Sequence, residues 1–138
     1  VPKGDAKVLI LPTGPADVLE TCSLLYQQAI HSAKKRFWVA SPYFVPDSST
    51  LSALLLAALR GVEVRILIPE KPDNVLVYYS AYAFLGGLLA EGIEVYRYQP
   101  GFLHEKVFLV DDVVCGIGTA NLDNRSFRLN FEVTSLTE

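Results

Sequence analysis

The chain has 138 residues, of which 51% are hydrophobic, and its formal net charge at pH 7 is -3. This length and composition predict one compact domain, residues 1–138, with a core that needs no disulfide to hold it together. The acidic balance disfavours nucleic acid as a partner, because no overall positive field attracts a polyanion and any phosphate must be recognised by local groups.

The first predicted elements are a strand and a helix. The segment from Lys7 to Leu11 has the composition of a short strand, and Asp17 and Glu20 stand at the spacing of a capping box at the start of a helix. The apolar residues that recur at helical period in this helix are Val18, Cys22, Leu25, Ala29 and Ala33.

Three more strands and two more helices follow in alternation. The strands are predicted over "RFWVAS", "VEVRILIP" and "IEVYRY", and the proline-rich "SPYFVPD" ends the first of these. Asp47 or a following serine caps a helix over "LSALLLAALR" that stops at Gly61, while "PDN" opens a third helix through Ala90, which Gly92 ends. Such alternation predicts a parallel sheet with helices on its faces.

The alternation of strands and helices ends after "QPG". Two strand-like runs are joined only by Asp111 and Asp112, which is too short for a crossover and predicts an antiparallel hairpin. A last strand is indicated by the alternation of Leu129, Phe131 and Val133 with Asn130 and Glu132. The predicted fold class is therefore α/β, a mixed sheet flanked by helices in the order βαβαβαβ, followed by an antiparallel hairpin and a last strand.

Two cysteines and the ends of the chain bear on its cellular context. Cys22 and Cys115 lie far apart in the sequence, which predicts two buried free thiols in a reducing compartment. The longest uncharged run, residues 75–90, falls short of the ~20 apolar residues that a membrane span needs, so the chain itself is expected to be soluble. The abrupt start at Val1 and the stop at Glu138 inside a strand pattern favour an excised piece of a longer protein.

The turn sets the predicted register of the hairpin. If residues 111–112 form a two-residue turn, Val110 pairs with Val113. Counting back along both strands then places Thr119 opposite His104, so that the hydroxyl stands beside the imidazole.

In this register five polar side chains meet on one patch: His104, Lys106, Thr119, Asn121 and Glu132. An anion fits the patch, because Lys106 supplies positive charge and Thr119 and Asn121 supply directed donors. His104 can act as a nucleophile or carry a proton near neutral pH. A phosphoryl group is the predicted guest. The alternative, a hydrogen-bonded core histidine with a snorkelling lysine, explains two such residues better than five.

The residues of the hairpin also match a known family. "HEKVFLVD" followed by "GTAN" resembles the H-x-K-x-x-x-x-D motif and trailing G-[ST]-x-N of the phospholipase D superfamily. With "SPYFVPD" and "LAALRGVEVRILIP" upstream, essentially the whole chain is similar to the C-terminal catalytic half of bacterial cardiolipin synthases.

This resemblance implies a phosphatidyl transferase that works through a phosphohistidine, with two H-x-K motifs at one site and no metal or other cofactor. His104 is implied to be one of the two histidines, of which one attacks phosphorus and the other protonates the leaving alcohol. Lys106 and Asn121 are implied to hold the phosphate oxygens, with Thr119 at the Ser/Thr position of the motif. Glu132 matches an acid that orients the histidine.

Other features of the motif are expected to lie apart from the chemistry. Asp111, the aspartate of the motif, belongs to the predicted turn and is expected to be structural. Glu105 should face away from the site. Only one H-x-K motif is present, so the implied mechanism needs a second half or a homodimer mate.

The resemblance also implies the remaining partners and the location. These are a phosphatidylglycerol-like phospholipid, an alcohol acceptor and, for the full-length protein, the cytoplasmic side of the bacterial inner membrane. The aromatic residues of the third helix either pack on the sheet or the other half, or contact lipid at the membrane interface; they are Tyr78, Tyr79, Tyr82 and Phe84.

Two other functions stay open. One is a single-motif phosphodiesterase or nuclease that builds its site by two-fold dimerisation, although the acidic chain lacks the basic stripe of a nuclease. The other is a non-catalytic half-domain that serves as a scaffold. The presence of His104, Lys106, Thr119 and Asn121 together disfavours the scaffold.

Overall fold

The computed structural model describes residues 4–71 and 75–138. Its strands are β1 (Val8–Thr13), β2 (Arg36–Ala40), β3 (Phe44–Val45), β4 (Glu63–Pro69), β5 (Glu94–Tyr98), β6 (Val107–Val110), β7 (Val114–Gly118), β8 (Leu122–Asp123) and β9 (Glu132–Thr137). Its helices are α1 (Thr21–Ser32), α2 (Ser48–Leu59), α3 (Val75–Ala90) and α4 (Asn124–Arg128). In this part of the chain, seven strands form a mixed sheet in the order β1-β9-β7-β6-β2-β4-β5, and β3 pairs with β8. The predicted fold class is confirmed.

Three strands are parallel, as the alternation predicts. Val39 of β2 pairs with Ile66 of β4, which in turn pairs with Val95 of β5. Strand β1 does not join them. It pairs antiparallel with β9 at the opposite edge, so that Thr13 lies opposite Glu132. The alternation of strands and helices along a chain does not specify which edge of the sheet a strand joins. The pairing of β1 with β9 therefore could not be predicted from this pattern.

The helix starts test the capping predictions. The predicted capping box is wrong, because α1 begins at Thr21 and its N-cap, Glu20, makes no side-chain capping hydrogen bond. Asp17 instead accepts a hydrogen bond from the Gly14 backbone N–H at 3.2 Å. Helix α2 confirms its predicted cap, since the Asp47 carboxylate accepts from the Thr50 backbone N–H at 2.7 Å. The "PDN" segment predicted to open α3 lies outside the described residues, and the predicted end of α3 at Ala90 is confirmed.

The hydrophobic core lies between the helices and one face of the sheet. Phe37 and Phe108 from the central strands are fully buried there, with ring centroids 6.0 Å apart. A Cβ atom at Gly116, the partner of Phe108 on β7, would come within 2.3 Å of the Phe108 ring. The glycine therefore makes room for the phenylalanine, whose burial contributes roughly 1.5–3 kcal/mol.

The cysteines are free thiols, as predicted. Cys22 is buried, and burial raises the pKa of its thiol to about 11, which keeps it protonated and unreactive at neutral pH. Cys115 is only half-buried, so the prediction that both thiols are buried is wrong for this one. Among the helices of residues 4–71 and 75–138, none combines the length and apolar character needed to cross a membrane.

The hairpin of β6 and β7 is antiparallel, as predicted, but its register differs from the predicted one. Val110 pairs with Val114, not with Val113. The connection therefore has three residues, of which Asp111 and Asp112 adopt left-handed backbone with φ of 53° and 60°. The two-residue turn counted from the sequence is wrong by one position, which displaces every predicted cross-strand pair.

The Asp111 carboxylate joins this turn to the loop between α1 and β2. Its Oδ2 accepts from the backbone N–H of Lys34 at 2.8 Å, and its Oδ1 accepts from Lys35 at 2.7 Å and Arg36 at 2.9 Å. Desolvation favours the neutral acid, but the three N–H donors and the charge of Lys35 outweigh it and hold the pKa of Asp111 below its ordinary value. The carboxylate thereby fixes the start of β2 against the end of β6.

We expect Asp111→Asn to lower the free energy of unfolding at pH 7 by about 1.5–3 kcal/mol, because a neutral amide accepts more weakly and turns N–H groups towards donors. Since the pKa of Asp111 is depressed on folding, its stabilisation is complete above about pH 4 and is lost as the pH falls through the folded value. Urea unfolding of both proteins at pH 7 and pH 2.5 measures this difference.

The control is Asp112→Asn. Asp112 also has left-handed backbone, which asparagine tolerates, and its carboxylate forms an exposed ion pair with Arg36 at 3.0 Å. This variant should change stability by less than about 0.5 kcal/mol. An Asp111→Asn deficit that stays the same from pH 7 to pH 2.5 would show that the charge is not what holds the turn.

Candidate active site

The H-x-K segment lies just before strand β6. His104 and Lys106 belong to irregular backbone, and β6 begins only at Val107. The Gly118 N–H still donates to the Lys106 carbonyl at 3.0 Å, so the segment remains attached to β7. The predicted pairing of His104 with Thr119 is wrong, because the three-residue connection shifts the register by one position.

The local contacts expose the histidine and hold its backbone. Leu103 is buried and anchors the segment, whereas the neighbouring His104 side chain is exposed. The Lys106 ammonium donates to the His104 carbonyl at 2.8 Å. The Phe102 ring stacks on the imidazole, with centroids 5.6 Å apart and planes inclined by 28°. The H-x-K spacing thus places a cation directly beside the backbone of the histidine.

Glu105, which lies between His104 and Lys106 in the sequence, points away from both of them. A cavity of about 710 Å³ opens on the face of the sheet away from the helices, and Trp38, Leu67 and Glu105 are among the residues that line it. Neither His104 nor Lys106 lines this cavity. Glu105 therefore faces away from the H-x-K side chains, as expected from the sequence.

Glu132, the first residue of β9, receives hydrogen bonds from two neighbouring side chains. The Thr119 hydroxyl donates to its Oε2, and the Asn130 amide donates to its Oε1 at 3.0 Å. The same hydroxyl accepts from the Val133 backbone N–H at 3.0 Å. The single proton of the Thr119 hydroxyl is therefore used on Glu132 in this structure.

Asn121 follows two residues after Thr119. Its backbone N–H donates to the Ser126 hydroxyl at 3.0 Å. Its side-chain oxygen is buried and has no hydrogen-bond partner among the described residues. Such atoms are rare in folded proteins, and the buried side-chain oxygens of Thr13, Thr50 and Asn124 share this property.

The segment that carries Thr119 and Asn121 is fixed from below. The Tyr26 hydroxyl donates to the Ala120 carbonyl at 3.1 Å, and burial raises the pKa of Tyr26, so this donor stays protonated. The Leu122 N–H donates to the Ser41 hydroxyl at 3.0 Å, and Leu122 pairs with Phe44 in the two-stranded sheet. These contacts give the upstream "SPYFVPD" segment its role, because it holds the loop in place.

Helix α4 connects this loop to β9. The Asp123 carboxylate caps it by accepting from the Ser126 N–H at 2.7 Å, and the Phe127 ring packs on Tyr26 with centroids 5.4 Å apart. The Arg125 carbonyl accepts from the Asn130 backbone N–H at 3.1 Å. The short helix therefore sets where Asn130 lies relative to Glu132.

Sequence reasoning missed α4 and the role of Asn130. The alternation over residues 129–133 predicts a strand, but β9 begins at Glu132, and residues 129–131 are irregular. Two signals were available: Asp123 precedes Ser126 at the spacing of a helix cap, and Asn130 and Glu132 are two apart, as residues on one side of extended chain are.

The structure brings the predicted residues together in two groups. His104 contacts Lys106, and Thr119 contacts Glu132. Among the hydrogen bonds of the described residues, none joins His104 to Glu132. Asp111 lies beyond the far end of β6 from His104. Residues 4–71 and 75–138 contain no cluster of three or more His, Cys, Asp or Glu side chains that could hold a metal ion.

Comparison with known families and sequences gives a consistent match. Residues 26–138 match the family described as "Cardiolipin synthase, PLD-like domain". The chain is 60% identical over 127 residues to cardiolipin synthase A of Pseudomonas putida (strain GB-1) and 54% identical over 128 residues to that of Pseudomonas syringae pv. syringae (strain B728a). These matches cover 92% and 93% of this chain but 26% and 27% of the relatives. The chain thus spans about a quarter of the length of the curated relatives it matches.

Solved structures share the fold. Nuc, a phospholipase D family member from Salmonella typhimurium, superposes with a TM-score of 0.78 and 23% identity over 96% of this chain and 83% of Nuc. Phosphatidylserine synthase from Haemophilus influenzae Rd KW20 gives a TM-score of 0.77 and 19% identity over 96% of this chain and 34% of that one. At these identities the likeness establishes the fold alone.

We expect Thr119→Val to release the start of β9, because it removes the acceptor for the Val133 N–H and the donor to Glu132 while keeping the size of the side chain. The free energy of unfolding should fall by about 1 kcal/mol, and the Val133 amide should exchange its hydrogen faster than in the wild type. Thr119→Ser keeps the hydroxyl and should leave this exchange nearly unchanged. Amide exchange followed by NMR measures both variants, and equal protection in all three proteins would refute the assigned hydrogen bonds.

Proposed function

The chain belongs to the family of cardiolipin synthase PLD-like domains, and from this premise we propose that it is one catalytic half of a phosphatidyl transferase of the cardiolipin synthase type. The observation that carries the proposal is the exposed imidazole of His104 with the Lys106 ammonium bonded to its backbone. A nucleophile beside a fixed cation suits attack on a phosphodiester, whose charge must be stabilised as it is transferred.

The proposed substrates are a phosphatidylglycerol-like phospholipid and an alcohol acceptor. In the first step a ring nitrogen of one histidine bonds to phosphorus as the bond from phosphorus to the leaving alcohol breaks, and the second histidine gives its proton to that oxygen. In the second step the acceptor alcohol returns a proton to the second histidine, its oxygen bonds to phosphorus, and the phosphorus–nitrogen bond breaks. Both histidines are restored, so the proton balance closes.

Lys106 and Asn121 are the residues proposed to hold the phosphate oxygens. The ammonium of Lys106 supplies positive charge at the site, and the carboxamide of an asparagine offers two N–H donors. Thr119 was expected to donate to the phosphate as well. Its proton is used on Glu132, so we assign Thr119 to holding that carboxylate instead.

Glu132 is proposed to orient an imidazole. Each carboxylate oxygen receives one bond, from Thr119 or Asn130, and each retains acceptor capacity for a further N–H. Since Glu132 is not bonded to His104 here, the imidazole that it serves is proposed to come from the second H-x-K motif. That motif belongs to another half of the full-length protein or to a second copy of this chain.

A membrane surface is proposed as a further partner of the full-length protein, at the cytoplasmic face of the bacterial inner membrane. Helix α3 contains no charged residue and exposes Leu76, Tyr79 and Tyr82. Tyr78 and Tyr82 share a hydrogen bond at 2.9 Å. Aromatic residues with polar tips are suited to the boundary between lipid and water.

The second candidate function is a phosphodiesterase that forms by two-fold pairing of this chain. The observation that favours it is the similarity to Nuc, a phospholipase D family member of whose chain 83% is covered by this one. A symmetric dimer brings two copies of His104 to one axis, which meets the need for two histidines.

We predict that His104→Asn lowers turnover of phosphatidylglycerol in the full-length protein by about 10³-fold or more, since it removes the nucleophile or the proton carrier without much change in volume. The matched control is Glu105→Gln, next in sequence and facing the cavity on the other side, which should retain activity within about twofold. Product formation in phosphatidylglycerol vesicles measures both. A folded His104→Asn protein with a near-normal rate would remove His104 from the mechanism.

The two candidate functions differ in their concentration dependence. This chain as a monomer is predicted to be inactive, because it holds one H-x-K histidine where the mechanism uses two. Any phosphodiesterase activity should therefore rise with the dimer fraction measured by light scattering. Robust turnover by a demonstrated monomer would overturn the two-histidine mechanism for this chain.

A further inference from the structure

We propose that Asn130 is a positioning residue for Glu132, and that Thr119, Glu132 and Asn130 act as one hydrogen-bonded unit. This inference rests on the proposed function, in which Glu132 orients an imidazole. Asn130 belongs to neither the H-x-K-x-x-x-x-D motif nor the G-[ST]-x-N motif, and its role follows from its contact with the carboxylate.

Asn130 reaches Glu132 through a short and well-defined contact. Its Nδ2 donates to Oε1 at 3.0 Å, and both side chains are half-buried. Phe131 between them is 81% exposed, so the chain turns the two polar side chains inward and the aromatic ring outward. A hydrogen bond to a carboxylate in partly shielded surroundings is stronger than one between neutral groups.

The backbone of Asn130 is itself fixed. Its N–H donates to the Arg125 carbonyl at 3.1 Å, at the end of α4. That helix is capped by Asp123 and packed by Phe127 onto Tyr26. Helix α4 therefore fixes the position of Asn130 and of its side-chain N–H donor. A residue that orients another group needs such a fixed position.

The second bond to Glu132 decides the orientation of its carboxylate. Rotation about the last side-chain bond of a glutamate is only weakly restricted, so a carboxylate held at one oxygen still turns. Thr119 holds Oε2 and Asn130 holds Oε1, and the two bonds together fix the plane of the group. The remaining lone pairs then point in set directions, and an imidazole N–H that bonds to them is aligned.

The chemistry also explains why an amide suits this position. An asparagine donates without adding charge, so Glu132 remains the single negative group of the unit. An aspartate of the same size has no N–H to donate at neutral pH and would repel the carboxylate. Alanine removes the donor without adding repulsion.

The test uses kinetics of the full-length protein on phosphatidylglycerol vesicles. Asn130→Ala should lower kcat by about 10- to 100-fold with KM within about twofold, because Asn130 orients a catalytic group without touching substrate. Asn130→Asp should lower kcat further. Leu129→Ala alters an exposed neighbour in the same segment and should match the wild type. A kcat for Asn130→Ala within twofold of the wild type would overturn the proposal.

A double-mutant cycle separates action through Glu132 from an independent role. In a Glu132→Gln background, Asn130→Ala should lower kcat by less than about twofold, because the carboxylate that it orients is already gone. Losses that multiply in the double variant would show that Asn130 works by another route and would overturn the proposal.

A spectroscopic measurement distinguishes failure of this inference from failure of the proposed function. In protein labelled with ¹³C at glutamate side-chain carboxyls, the Glu132 signal is identified by its absence in Glu132→Gln. Asn130→Ala should shift this signal and leave the other glutamate signals in place. If the wild type does not act on phosphatidylglycerol but the signal shifts, the positioning contact stands and the function falls. An unchanged signal removes the contact whatever the activity.

Discussion

The packing of Phe108 is the contact on which both ends of the hairpin depend. Its ring lies against Tyr26, with centroids 5.3 Å apart, and against Phe37, and it fills the space left by Gly116. Because Phe108 is the second residue of β6, this contact fixes where the preceding His104 emerges from the sheet. Tyr26 in turn bonds the Ala120 carbonyl, so the same aromatic group also locates the loop after β7.

Polar residues are tolerated in this apolar surrounding because most of them have defined partners. The aspartates at 47, 111 and 123 satisfy backbone N–H groups at helix or strand starts. Thr119, Asn130 and Glu132 satisfy one another. Among the described residues, the buried side-chain oxygen of Asn121 has no partner, and the same is true of Thr13, Thr50 and Asn124. The three aspartates and Glu132 are thus hydrogen-bonded, whereas four buried side-chain oxygens of the described residues, that of Asn121 included, are not.

The sequence predicted features that local chemistry determines. Asp47 caps its helix because an N-cap needs only a carboxylate three residues before an N–H, and Gly61 and Gly92 end their helices with φ of 84° and 80°. The predicted register of the hairpin was wrong, because two aspartates with left-handed backbone fit either a two-residue or a three-residue connection. The Asp111 contacts to residues 34–36 could not be predicted, since they depend on β6 pairing with β2. The residues of the candidate site could be predicted from the sequence motif. Their hydrogen-bond partners could be identified only from the three-dimensional structure.

The pairing of β1 with β9 has a consequence for how the protein reaches its structure. Val8 lies opposite Thr137, so the first strand finds its partner only among the last residues of the sequence. Contacts of such long sequence separation require closure of a large loop before they return any free energy, and proteins rich in them fold slowly. During synthesis from the N-terminus, β1 therefore waits as an unpaired apolar edge until β9 emerges. An unpaired apolar edge of this kind is a general site of aggregation in chains that have not finished folding.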